Sequence, residues 1–226
     1  MGATAQTTQS VLAGFLSRFR RLRPGVEVQL TEEGGVRLLD LVEEGALHLA
    51  ISAVLERARL RSRPLFPIRV LAVVLPRPNW KRRRTIDVAE LSNEPLLLLR
   101  RDFGTRRLFD AACGLAQIRP RIVMESADVH SLVALAEAGH GVAIVPSTVR
   151  LLAQKVQVLP ILQKRESLGT WGGVVWDPRR SLPIQAANFI EELSAYVPHA
   201  LPGRRFDRTA PPVPGRIEPP ASDTRR

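Results

Sequence analysis

Val11, Leu12, Phe15, Leu16, Phe19 and Leu22 recur three or four residues apart, with Arg18, Arg20 and Arg21 between them. That spacing lines the apolar side chains along one stripe and predicts a helix over 8–22. Thr7 or Thr8 is placed to cap its start, and Pro24-Gly25 ends it. Residues 26–31 then alternate Val-Glu-Val-Gln-Leu-Thr, the period of a strand. Gly34-Gly35 turns the chain into a second helix whose stripe is Leu38, Leu39, Leu41 and Val42. Gly45 suits the left-handed residue that closes such a helix. Residues 48–52 read as a short apolar strand.

The same alternation continues. Residues 60–66 and 70–75 read as two strands around Pro67, 79–84 as a charged loop and 87–91 as a short helix. Four consecutive leucines at 96–99 predict a strand buried on both faces. A helix over 105–115 turns Leu108, Phe109, Ala112 and Leu115 inward, and a strand covers 121–124. The next helix, 128–138, buries Val129, Leu132, Val133 and Ala136 and is capped by Gly139-His140-Gly141. Strands at 142–145, 156–162 and 172–176 precede a closing helix over 182–197 with Phe189, Ile190, Leu193 and Val197 on one face. Strand and helix in alternation predict an α/β fold with parallel pairing. From 198 onward proline and arginine replace apolar periodicity, and 198–226 is expected to be a disordered tail.

Composition narrows the classes. Of 226 residues, 45% are hydrophobic and 24% charged, enough apolar surface for a core. The longest apolar runs, 70–76 and 95–99, fall well short of the roughly 20 residues a membrane span requires. The net charge of +11 invites a nucleic-acid reading. However, only Lys81, Lys155 and Lys164 are lysine, and the arginines are scattered, so the charge reads as solvated faces. The first residues carry no basic stretch followed by an apolar core, so a cytoplasmic location is expected. Cys113 lies within a predicted helix and reads as a small buried hydrophobe. His48, His130, His140 and His199 are dispersed, no G-x-S-x-G elbow occurs, and no acid–base pair converges. Neither an enzyme, a metal site nor a cofactor is expected.

Chemistry is expected where strands end and helices begin. In an open α/β sheet, ligands sit outside the carboxyl ends of strands, against free N–H groups of helix starts. The candidates are therefore Gln6, Thr7 and Thr8; Gly34 and Gly35; Phe103, Gly104 and Thr105; and Ser126, Ala127 and Asp128. Any one hydroxyl or carboxylate among them serves equally as a plain helix cap. Together they favour a small organic anion, a charge that nearby Asp102, Glu125 and Asp128 oppose.

An ordered set of segments carries a family resemblance: Gly2-Ala3-Thr4; Phe15-Leu16-Ser17-Arg18-Phe19-Arg20; Arg23-Pro24-Gly25-Val26-Glu27-Val28; 41–51; Glu125-Ser126; and 132–146, which ends Gly139-His140-Gly141-Val142-Ala143-Ile144-Val145-Pro146. Over 1–197 the chain resembles the effector-binding domain of LysR-type transcriptional regulators. The resemblance implies the fold of type 2 periplasmic binding proteins, two α/β lobes joined by two crossing strands with a ligand cleft between them. Mapped onto this chain, lobe I is about 1–70 plus 162–197 and lobe II about 71–161, with crossings near 70–73 and 159–162. It also implies effector contacts at Gln6, Thr7, Thr8, Gly35, Gly104, Thr105, Ser126 and Asp128, although many members offer Ser or Thr where Gly35 stands. It implies a homodimer or higher homo-oligomer, in which Val11, Phe15 and Val129 are the apolar candidates. Family members bind DNA through an N-terminal helix-turn-helix, and nothing in 1–226 resembles one, so DNA is expected as a partner only through a segment absent from this chain. The reading is a small-molecule sensor whose hinge shifts on binding. A solute-binding protein of the transport type on the same fold is the alternative.

Overall fold

The computed structural model describes residues 1–54, 57–78, 80–151 and 155–201. Residues 202–226, most of the expected tail, lie outside them.

Chain order begins with strand β1 (Gly2–Ala3), which leads directly into helix. The helix runs as α1 (Ala5–Thr7), a π-helical stretch (Thr8–Leu12) and α2 (Ala13–Leu22). It starts earlier than the apolar spacing predicts because Thr4, not Thr7 or Thr8, is its N-cap, and Ala5–Thr7 holds no large apolar residue to extend the period. Leu22, assigned to the buried stripe, is exposed. Only β2 (Thr31–Glu32) of the segment predicted as strand pairs, parallel to β1. Residues 26–30 meet no strand among the described residues, while Val26, Val28 and Leu30 pack partly against the core. Helix α3 (Gly35–Glu44) ends at Gly45, whose φ of 81° needs no Cβ. The Arg180 guanidinium donates to the carbonyls of Glu43 and Glu44, which have no partner within the helix.

After β3 (Ala50–Ala53), the two strands predicted around Pro67 are one, β4 (Arg61–Val74). Over 61–69 it pairs antiparallel with β11 (Gly169–Trp176), and over 70–74 with β8 (Val142–Pro146) and β9 (Gln157–Gln163). Pro64 and Pro67 fall in the half where β11 is the partner among the described residues, so their missing N–H groups break no second ladder. Strand β5 (Ile86–Asp87) and a 3₁₀ turn, Val88–Leu91, precede β6 (Pro95–Leu99), α4 (Gly104–Leu115), β7 (Arg121–Ser126) and α5 (Val129–Glu137). Strand β10 (Glu166–Ser167) pairs with β9. The chain closes with α6 (Ile184–Ala200), which continues past the predicted end because Val197 and Leu201 are both buried.

The hydrogen-bonded path runs β2-β1-β3-β11-β4-β8-β6-β7 without a break, and β4 carries it from one set of strands to the other. The apolar clusters divide at the same strand. One joins Phe15, Phe19, Leu49, Phe66, Phe189 and Leu193, and a small one packs α3 on β3. Two others cover opposite faces of β4 (70–74), β6 and β8, with α4 on one face and α5 on the other. Leu115, expected inward, is 70% exposed, because α4 instead buries Thr105, Arg106, Phe109, Ala112 and Cys113.

Candidate functional site

Three helix starts meet at the place where β4 passes between the two sets of strands. At the first, Thr4 Oγ1 accepts from the Thr7 N–H (3.4 Å) and lies 2.9 Å from Thr7 Oγ1, with which it shares a hydrogen bond. The second is Gly35 at the start of α3, and the third Gly104 and Thr105 at the start of α4. They enclose a cavity of about 30 Å³, to which Gln6, Ser52, Phe103 and Thr148 also contribute. Ile68 and Phe66 of β4 form its apolar floor with Ala53 and Pro146. No Asp, Glu, Lys, Arg or His lines it.

The hydroxyls differ in their commitments. Thr4 and Thr7 bind each other. Ser52, Thr105 and Thr148 are buried, and their hydroxyls make no hydrogen bond among the described residues. Their oxygens are not sealed from water, so these three hydroxyls are free to serve a ligand in the cavity. Ser52 is also informative about Gly35. A Cβ at Gly35 would lie 2.8 Å from Ser52 Oγ. The Ser52 hydroxyl therefore occupies the space that a side chain at 35 would fill.

Of the candidates read from the sequence, the structure gathers Gln6, Thr7, Gly35, Gly104 and Thr105 around this cavity. Thr8, Ser126 and Asp128 are not among its walls, and each has a local role. Thr8 Oγ1 donates to the Thr4 carbonyl (3.2 Å), and Ser126 Oγ accepts from the Asp128 N–H (3.0 Å). Asp128 caps α5, accepting from the N–H groups of His130 and Ser131 and from Ser131 Oγ. Partial burial alone would raise its pKa, but these hydrogen bonds outweigh it and hold the carboxyl below its ordinary value. Sequence reasoning placed Phe103 at the site and missed Thr4, Ser52 and Thr148. The polar Ser52 inside the apolar run Ala50-Ile51-Ser52-Ala53 was the available signal for one of them.

Arg106 holds the α4 start in place. Its side chain is 1% exposed. Nε donates to both oxygens of Asp110 (2.8 and 2.9 Å), and Nη1 to the Leu99 carbonyl (2.9 Å) and the Glu125 carboxylate. Cys113 is 3% exposed, and burial, aided by Asp110, pushes its thiol up to about 11. At neutral pH it is a protonated, inaccessible thiol, which opposes a redox role. Two larger hollows, of about 560 and 620 Å³, share Gly25–Val28 as a wall, but no pair of helix starts converges on either.

The family model described as the LysR substrate binding domain matches residues 1–198. The chain belongs to that family. This LysR substrate-binding domain has the type 2 periplasmic-binding-protein-like fold. It is 24% identical over 193 residues to the HTH-type transcriptional regulator YwbI of Bacillus subtilis, an alignment covering 82% of this chain and 63% of that protein. The domain thus spans less than two thirds of that relative's length. The effector-binding domain of QuiR in complex with shikimate superimposes with a TM-score of 0.75 at 15% identity, over 88% of this chain and 97% of that one. The CcmR regulatory domain of Synechocystis PCC6803 in complex with 2-PG does so with a TM-score of 0.77 at 15% identity, over 88% and 96%. Among the described residues no helix is long and apolar enough to cross a membrane.

Proposed function

We propose that this domain senses a small organic anion at the meeting point of Gln6, Thr7, Gly35, Gly104 and Thr105, and that binding shifts the two halves about β4 to control transcription. The observation that carries the reading is the convergence of three helix starts and three uncommitted hydroxyls on a cavity without a charged side chain. Helix starts supply positive potential and free N–H donors, while the absence of a fixed cation favours a ligand that brings its own hydrogen-bond acceptors. That QuiR and CcmR domains are described with shikimate and 2-PG supports the same ligand class here. In this reading the domain serves regulation rather than catalysis, in keeping with relatives described as transcriptional regulators.

The lobes in this reading follow the exchange of partners by β4 between Arg69 and Val70. Lobe I takes 1–69 and the segment from Gly169 onward, and lobe II takes 70–168. Near 159–162 was the expected return crossing; in this reading it is taken at Leu168–Gly169, which the pairing of β9 and β10 with the second set supports.

Binding is tested by thermal unfolding against a panel of small carboxylates that includes shikimate. A binder raises stability by RT ln(1 + [L]/Kd), about 2.7 kcal/mol at a hundredfold excess over Kd. Thr105→Val, which keeps the shape and removes the hydroxyl, weakens that binder roughly five- to tenfold, the worth of about one hydrogen bond. Thr8→Val leaves affinity unchanged. Equal affinities for wild type and Thr105→Val refute the placement.

Self-association belongs to the same reading, but not through Val11, Phe15 and Val129. These are 2%, 0% and 2% exposed, committed to the cores of the chain that carries them. Strand β7 is better suited: Ile122, Val123 and Met124 are 38–45% exposed, and among the described residues its partner in the sheet is β6 alone. An open, apolar edge of this kind is covered in a closed two-fold pair. Val123→Arg therefore converts a dimer into a monomer in sedimentation, with an unchanged circular dichroism spectrum. A variant that sediments like wild type removes β7 from the interface.

A further inference from the structure

We infer that the cleft is latched shut by the chain itself, with Asp102 serving as an internal ligand for the start of α3. The inference rests on the effector reading only for the identity of what displaces the latch.

Residues 34–36 follow β2, and residues 102–104 follow β6, on opposite sides of β4 in the strand path. They nevertheless touch. The Val36 N–H donates to the Asp102 carbonyl (3.0 Å). This N–H is one of the first in α3, which has no partner within its own helix, and the N-cap Gly34 has no side chain to offer it. The Asp102 carboxylate lies over Gly34 and is paired with Arg100 at 3.3 Å. A Cβ on Gly34 would fall 2.7 Å from Asp102 Cγ and 3.1 Å from Asp102 Cβ. Gly34 has φ −64° and ψ 148°, which any residue adopts, so its backbone does not require glycine. The approach of Asp102 does.

The consequence follows from volume. With the latch closed, the cavity behind it is about 30 Å³, far below the roughly 300–1,000 Å³ of a small-molecule pocket. No organic acid enters until residues 34–36 and 102–104 part. The effector competes with Asp102 for the start of α3 and acts by breaking a closed state that the chain forms alone.

Two measurements test this without any effector. In a Cys113→Ser background, the pair Gly34→Cys and Asp102→Cys removes the carboxylate that a Cβ at 34 would strike and leaves the two Cβ atoms 3.1 Å apart, a few tenths of an ångström short of the usual disulfide span. Mild oxidation is expected to join most molecules, read as a shift on a non-reducing gel and a linked peptide by mass spectrometry. In the chain without cysteine changes, Gly34→Ala props the latch open, and amide exchange at Val36 accelerates about tenfold or more while Leu39 and Val42 keep their rates. Folded protein that stays uncross-linked, or Val36 exchange unaltered by Gly34→Ala, overturns the latch. Shikimate and malonate are then added to wild type and Gly34→Ala. Cross-linking in the absence of a ligand, with tighter binding to Gly34→Ala than to wild type, supports both readings. Cross-linking with carboxylate binding that the cleft variant Thr105→Val does not weaken keeps the latch and removes the effector placement. Binding without cross-linking does the reverse.

Discussion

Phe15→Ala lowers the unfolding free energy by about 3–5 kcal/mol, and its folded fraction keeps the wild-type association state. Phe15 is 0% exposed. Its ring meets Phe189 edge-on with centroids 4.9 Å apart, and lies 5.6 Å from Phe19 and 5.5 Å from Tyr196. These rings weld α2 to α6, two helices from opposite ends of the described chain, so truncation leaves a hole that neither helix fills without losing its other contacts. Urea unfolding checks the magnitude and sedimentation the assembly. A cost under about 1 kcal/mol together with a loss of dimer returns Phe15 to the interface and refutes its place in the core.

Arg106→Ala is expected to cost about 2–4 kcal/mol. The buried guanidinium ties α4 to the end of β6 and to β7 through Leu99, Asp110 and Glu125. Removing it strands the Leu99 carbonyl and opens a void. The cost stays below that of a fully buried pair because the Asp110 and Glu125 side chains are 38% and 45% exposed and recover water. The pH dependence has a definite sign. The hydrogen bond from Arg106 holds the Glu125 carboxyl below its ordinary value, against a small opposing effect of desolvation. A carboxylate depressed in the folded state stabilises above its unfolded pKa, about 4.3, and loses that contribution as pH falls through the folded value. The gap between wild type and Arg106→Ala therefore narrows below about pH 4. Paired urea titrations at neutral and acid pH measure it, and a gap that widens on acidification contradicts the assignment. Because α4 begins at Gly104, the variant also loosens the site around Thr105.

Wherever side-chain period and burial coincide, the elements were legible without coordinates. The stripe Leu38-Leu39-Val42 closed by Gly45, the leucines of β6 and the apolar run of β8 are found where their spacing puts them. Misreadings arose where local pattern and tertiary partner diverge. The alternating segment 26–30 has the sequence of a strand but no partner among the described residues, and a strand without a partner forms no ladder. Pro67 reads as the gap between two strands, yet it lies within one, where β11 is the partner among the described residues. Nothing in the sequence marked Arg106 for burial, because a buried cation cannot be distinguished from an exposed one until its carboxylates are placed.

The sequence by itself determined the fold class, the family resemblance over 1–197 and the starts of α3 and α4, because helix caps and apolar periods are local properties of the chain. Only the tertiary structure decided which of those starts meet. It set Thr7, Gly35 and Thr105 around one cavity and left Thr8, Ser126 and Asp128 as local caps. It added Ser52 and Thr148, and it brought Asp102 onto Gly34 across the strand path. Capping and ligand binding draw on the same free N–H groups and hydroxyls. The chemistry of a residue therefore names the role it is able to play, and its distance to residues remote in sequence selects the role it has.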